Sequence, residues 1–273
     1  MLKIRFSIRR ACHSFLIIIH CLIRQLLVQK KKFSILLGEQ LHAGYYSRIR
    51  CSFAFSEVAL NPKNKKSHHA FGIAFMNNME GNLFSLNRAY IQYAYHIALS
   101  EQWKITSGIS IGFLNLGVKQ TATSQNVSSY VPDGSFGLWL YRDKEKIGFS
   151  CAQFLNKPLT VIYEKIPINR FYTFFYSRSF RLSPDAKLLP AILYVIKKEG
   201  SEVDLNSNLL LKDLILLGVS YRYNRGSAYF FGIRDFSFIG GLTDVTISYN
   251  APWPSSNLGN IQTFEAILAY KLK

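Results

Sequence analysis

The sequence predicts an all-β chain closed into a transmembrane antiparallel up-and-down β-barrel of about 14 strands. Three observations carry this. From about residue 45 onward, apolar and polar residues alternate with period two: Ile91, Tyr93, Tyr95, Ile97 and Leu99 take odd positions while Arg88, Gln92 and His96 take even ones. Successive side chains on a strand point to opposite faces, so each such segment has one apolar and one polar face. About a dozen segments of this kind follow one another through polar turns, with no stretch of helical period between them. Aromatic residues make up 15% of the chain, including 16 Tyr and 21 Phe, a composition that favours strands and supplies girdles at membrane interfaces. A soluble β-sandwich alternates in the same way with its apolar faces inward, but a sandwich of roughly 100 residues uses about seven strands. The larger number here, without an evident linker, favours the barrel.

Taken in order, strands are expected near 45–58, 68–77, 86–99, 103–115, 134–142, 146–154, 170–182, 186–198, 202–212, 214–224, 228–236, 242–250 and 263–273. Turn signals separate them: Asn61-Pro62-Lys63-Asn64, Glu80-Gly81-Asn82, Ser183-Pro184-Asp185, Asn224-Arg225-Gly226 and Gly240-Gly241. Short links alternate with longer ones, 116–133 and 251–262, as in barrels with tight turns on one side and long loops on the other. Single-chain bacterial barrels have even strand numbers. A further strand is therefore expected, either within Leu116–Thr123 or before residue 45.

Energetics orients the strands. An Arg on the lipid face near the bilayer midplane costs about 2–4 kcal/mol. Arg88, Gln92 and His96, and likewise Glu202, Asp204, Asn206 and Asn208, are thus expected toward the lumen. Ile91, Tyr93, Leu205 and Leu209 then face lipid. Segments 170–182 and 186–198 resist the sorting, because Phe171, Tyr172, Phe174, Phe175 and Tyr176 populate both faces.

Composition narrows the partners. The net charge is +17, but residues 1–32 hold eight Lys and Arg and no acid, leaving +9 for the rest of the chain. Those charges lie scattered over turns, so no nucleic-acid partner is expected; basic loops against anionic outer-membrane lipid explain them more simply. The N-terminal segment 1–32 has the charge-then-apolar order of a secretory signal (Lys3, Arg5, Arg9 and Arg10, then Phe15 to Ile19), degraded or mis-started, since His13, His20 and Arg24 interrupt it and no A-x-A site follows. Residues 33–273 form the barrel domain. Cys12, Cys21, Cys51 and Cys151 show no metal or disulfide spacing; Cys51 and Cys151 read as small fillers on the apolar face.

No enzyme chemistry stands out, and no catalytic residue, cofactor or metal is assigned. Gly148-Phe149-Ser150-Cys151-Ala152 approaches a nucleophile elbow, but Ala replaces the final Gly and the stretch alternates like a strand interior. His68 and His69 are adjacent on a strand and face opposite ways, so they cannot chelate together. Glu202 and Asp204 share one face and read as an Arg-paired or solvated lumen wall rather than a glycosidase pair.

A set of short motifs, in order, carries a family likeness: Phe71 to Asn78 with Gly81-Asn82, Ala89 to Ile97, Trp103-Lys104-Ile105 leading into Gly108 to Gly112, Phe136 to Tyr141, Ile147 to Ser150 with Asn156-Lys157-Pro158, Val203 to Asn206, Gly218 to Arg222, and Phe264-Glu265-Ala266. Over roughly residues 44–273 the chain resembles the PorP/SprF family of outer-membrane proteins from type IX secretion systems of the Bacteroidetes. It departs from the family at its start, where only Ala43-Gly44 remains of an Asn-Pro-rich turn, and at its end, Tyr270-Lys271-Leu272-Lys273, where Tyr270 stands in for a terminal aromatic.

The resemblance implies a non-enzymatic barrel in the Gram-negative outer membrane. It would assist export or surface attachment of secreted proteins with C-terminal sorting domains, gliding adhesins among them, working with periplasmic and outer-membrane secretion components. The loops 116–133 and 251–262, the latter with Trp253 between two prolines, would be contact points. A passive porin or small-solute channel is the alternative expectation.

Overall fold

The computed structural model describes residues 33–42, 49–60, 66–119, 127–161, 164–253 and 262–272. The signal-like segment 1–32 and the Asn61–Asn64 turn lie outside these. The strands are β1 (Phe33–His42), β2 (Ile49–Leu60), β3 (Ser67–Glu80), β4 (Phe84–Ala98), β5 (Lys104–Val118), β6 (Val127–Arg142), β7 (Glu145–Ala152), β8 (Leu159–Val161) and β9 (Glu164–Ile166). They continue with β10 (Phe171–Arg178), β11 (Phe180–Ser183), β12 (Ala186–Lys197), β13 (Gly200–Leu211), β14 (Ile215–Arg222), β15 (Gly226–Phe238), β16 (Gly241–Pro252) and β17 (Thr263–Leu272).

Around the wall the strands pair antiparallel in sequence order, β7 pairs with β10 across the intervening β8–β9 segment, and two further pairings close the sheet. β1 pairs with β17 from Phe33↔Leu272 to His42↔Thr263, and β10 pairs with β12 from Tyr172↔Ile196 to Ser177↔Ala191. The result is a closed 14-strand antiparallel barrel. β11 continues the line of β10 against β12, and β8–β9 is a separate hairpin. The strand needed to make the number even is β1, which precedes residue 45. The expected loop 116–133 is mostly strand: β5 runs to Val118 and β6 starts at Val127.

The alternation works as the period-two argument requires. Ile91, Ile111, Phe231 and Ile247 stand on the outside, half or more exposed, with Phe113 beside them. Their neighbours Arg88, Ser110, Asp204 and Ser248 are buried inside. In the ambiguous region, Phe171, Thr173 and Phe175 turn inward while Phe174 and Tyr176 turn outward. Phe171 and Phe175 join Trp139, Tyr141, Leu193 and Val195 in an apolar cluster. The interior of this wall is apolar too, so alternation alone does not separate its faces. Trp139 lies flat over Gly148, where a Cβ would sit 2.9 Å from the indole, so only glycine admits the ring.

One assignment is corrected. Cys51 is not on the lipid face; it is fully buried inside, with Sγ 2.7 Å from Asn78 Oδ1. A small thiol fits there beneath Phe53, whose ring covers Gly38 in the next strand. Cys151 does sit on the outer face, screened between its cross-strand partners Phe136 and Tyr172.

The two ends differ. The end where β1 begins and β17 finishes has links 143–144, 184–185, 212–214 and 239–240 among its tight turns. The opposite end carries the long connections 119–126, 153–170 and 253–262. The first is the turn end and the second the loop end.

Candidate functional site

At the loop end the lumen wall is a network of charges. Asp204 on β13 accepts a hydrogen bond from Arg225 in the β14–β15 turn and has Arg222 Nε 3.9 Å away. Arg225 also reaches Glu202 at 3.1 Å, and Glu202 pairs with Lys197 at 2.6 Å. Arg222 lies within electrostatic reach of Glu265 on β17, whose carboxylate accepts from Ser248 Oγ at 3.4 Å. Three acids thus face three cations, and Asp204 is only 2% exposed. Buried charges persist where each has a partner, because an unpaired one would carry its whole desolvation cost.

The β8–β9 hairpin covers another part of the same end. Leu159 is fully buried against Leu86, Leu114 and Leu116, with Val127, Val131 and Ile166 around them. Thr160 N–H donates to Ser129 Oγ at 3.2 Å, tying the hairpin to β6. This apolar seam lies on the inner faces of β4–β6, so the segment folds back over the loop end of the lumen.

The sequence-nominated residues occupy four separate places. Arg88, 5% exposed, turns inward with Nη1 3.3 Å from Met76 Sδ. With Gln92, Tyr90 and Asp133 it lines a cavity of about 60 Å³, in which Tyr90 donates to Asp133 at 2.6 Å. His96, nearer the turn end, is buried with Nδ1 2.7 Å from Thr106 Oγ1 and its ring stacked on His68 at 4.2 Å. His69 points the other way, to Tyr93 OH on the outer face. Glu202 and Asp204 belong to the ion network. The arginines that pair with them are Arg222 and Arg225, not Arg88.

Asn206 and Asn208 line a larger cavity of about 330 Å³ toward the turn end. Its walls include Leu36, Phe175, Leu189, Leu210 and Ile267, and its charged lining is Lys144, Lys146, Arg178 and Arg234 with Asp143, Asp244 and Glu265. Beside it, Lys271 on β17 is 1% exposed and donates to Asp244 at 2.6 Å and Asp235 at 3.0 Å. Asp235 reaches it because the β15–β16 register shifts between Ile233 and Phe236, leaving Asp235 at a φ of 50°; a bulge of this kind re-aims a side chain. Sequence reasoning passed over Arg222, Glu265, Asp244 and Lys271. Their inward parity on strands already identified was the available signal.

On the outside, apolar side chains form a band and aromatics flank it. Toward the loop end stand Tyr221, Tyr229, Tyr249 and Phe264, with Trp253 edge-on to Tyr221 at 6.0 Å. Toward the turn end, Arg142 lies over the Trp103 ring at 4.8 Å and Tyr270 donates to the Ile239 carbonyl at 2.8 Å. An apolar outside, a polar lined inside and full closure define an outer-membrane β-barrel, in which every backbone group is satisfied within the sheet.

Residues 41–270 match the family described as type IX secretion system membrane protein PorP/SprF. The chain belongs to that family, and it is an outer-membrane barrel of the type IX secretion class. No curated protein matches it. Among solved structures the fold is similar to the toluene transporter TbuX of Ralstonia pickettii, at 8% identity with 88% of each chain covered and a TM-score of 0.60. It is also similar to a FadL homologue of Pseudomonas aeruginosa (9% identity, 89% of this chain and 91% of the other, TM-score 0.53). A third similar fold is the translocator domain of the autotransporter NalP from Neisseria meningitidis (10% identity, 95% and 97%, TM-score 0.50).

Proposed function

We propose that the barrel is a non-enzymatic component of the secretion apparatus that assists export or surface attachment of secreted proteins bearing C-terminal sorting domains, gliding adhesins among them. Family membership supports the secretion role, and one structural observation supports the absence of a solute path. The loop end of the lumen is occupied by the Glu202–Asp204–Arg222–Arg225 network and overlaid by the Leu159 seam. Cargo and secretion components then meet the barrel at its rims, because a closed sheet leaves no long free edge in the membrane. Trp253, 46% exposed beside Tyr221, is a contact point of this kind at the loop rim.

Deleting the gene in its host should leave proteins with C-terminal sorting domains in the periplasm, and re-expression should return them to the surface. Normal surface display without the barrel would overturn the proposal. The second reading, a small-solute channel, draws on the toluene transporter with a similar fold and on the cavity toward the turn end. Planar-bilayer recordings separate the two: the secretion reading expects no stable conductance, and discrete, steady openings favour the channel. A lipid-ester hydrolysis assay tests the non-enzymatic part, since turnover would contradict it.

A further inference from the structure

The interior of a barrel this size is ordinarily polar, yet the turn-end cavity is walled by Leu36, Phe175, Leu189, Leu210, Leu216 and Ile267. At about 330 Å³ it falls within the range of small-molecule sites. Most of the charges around it have an opposite charge beside them. Lys271 and Arg234 face Asp235 and Asp244; Arg222, Arg225 and Lys197 face Glu202, Asp204 and Glu265. Arg178 and Arg142 share Glu145, and Asp143 and Lys144 adjoin in one turn. Lys146, turned inward on β7 between Tyr141 and Ser177, faces Arg234 as a like charge, and no carboxylate pairs with it among the described residues.

We infer that this cavity binds a single-chain anionic amphiphile, its acyl chain against the apolar wall and its carboxylate or phosphate on Lys146, with Arg234 alongside. An anionic head supplies the charge that Lys146 lacks, and a chain removes the apolar wall from water. The alternative occupant, the chain's own residues 1–32, brings eight further cations and no acid to a lining that already holds four cations against three acids. Charge complementarity therefore selects the amphiphile. The site stands apart from the secretion role, and either can fail without the other.

The test is uptake of cis-parinaric acid, a fluorescent fatty acid, by the full barrel in phosphatidylcholine nanodiscs, measured against empty discs. Saturable uptake is expected, displaced by palmitate or by lysophosphatidate but not by methyl palmitate. The displacer that competes better identifies a free carboxylate or a phosphate headgroup as the natural source. Lys146→Ala should weaken uptake about tenfold, the loss of one charge-assisted contact. Ala191→Trp should abolish it by filling the cavity, with Thr246→Phe as the second filling variant should the first not fold. Heat-modifiable migration on gels verifies folding of each. No saturation above empty discs, equal displacement by the methyl ester, or unchanged uptake in folded Lys146→Ala and Thr246→Phe would each overturn the site.

Discussion

Asp204 shows how much of this protein rests on individual pairings inside the lumen. It is 2% exposed and is held by Arg225 and Arg222 together, so removing its carboxylate leaves two guanidinium groups with only Glu202 and Glu265 to balance them. Breaking a buried pair by deleting one partner typically costs about 3–5 kcal/mol. Asp204→Ala is accordingly expected to lower the urea midpoint of the barrel in lipid vesicles by a corresponding amount. A variant as stable as wild type would mean that water already screens the network. The outer face obeys the opposite rule. Ile91, 68% exposed, stands among lipid-facing side chains, while Gln92 beside it lines the small inner cavity. Ile91→Arg should cost about 2–4 kcal/mol and Gln92→Arg distinctly less, in the same unfolding measurement. Equal costs would contradict the assigned faces.

Among the elements, the β8–β9 hairpin has the clearest separable role. It holds to the barrel through Leu159 in the seam with Leu114 and Leu116 and through the Thr160–Ser129 hydrogen bond. Leu159→Ala should cost about 2–5 kcal/mol locally, read as faster protease cleavage within 153–170. Deleting 155–168 should raise ion conductance in planar bilayers relative to the intact chain. Unchanged conductance would assign closure of the loop end to the ion network alone.

The strands themselves were legible wherever one face is apolar and the other polar. β4, β5 and β13 fall within two or three residues of where alternation put them. β1 was not read because Leu36 and Leu37 put apolar groups on both faces while Glu39 turns outward, so no clean period survives. β10 and β12 were located but not oriented, since Phe171, Phe175, Leu193 and Val195 fill the inside of that wall. β8 and β9, three residues each, are too short to show a period at all.

For the whole molecule, topology follows from the lengths of the connections. Outer-membrane barrels keep short turns toward the periplasm and long loops outside, which puts the turn 184–185 in the periplasm and Ser128 at the cell surface. A cysteine placed by Ser128→Cys should react with an impermeant maleimide on intact cells. Asp185→Cys should react only after the outer membrane is permeabilised. The reverse pattern would invert the barrel. Cys51 and Cys151 are buried and should stay silent in both.

The sequence by itself determined the class of fold, the even strand number, the lipid-facing sets such as Ile91 and Leu205, and the family likeness. These are local or additive properties, written in a period of two and in the order of short motifs. Only the tertiary structure decided that β1 meets β17 and β10 meets β12, that Glu202 and Asp204 pair with Arg222 and Arg225, and that Lys271 shares two aspartates across a bulge. Alternation states which way a side chain points but not what stands opposite it. That depends on register and closure, which are set when all fourteen strands pair at once.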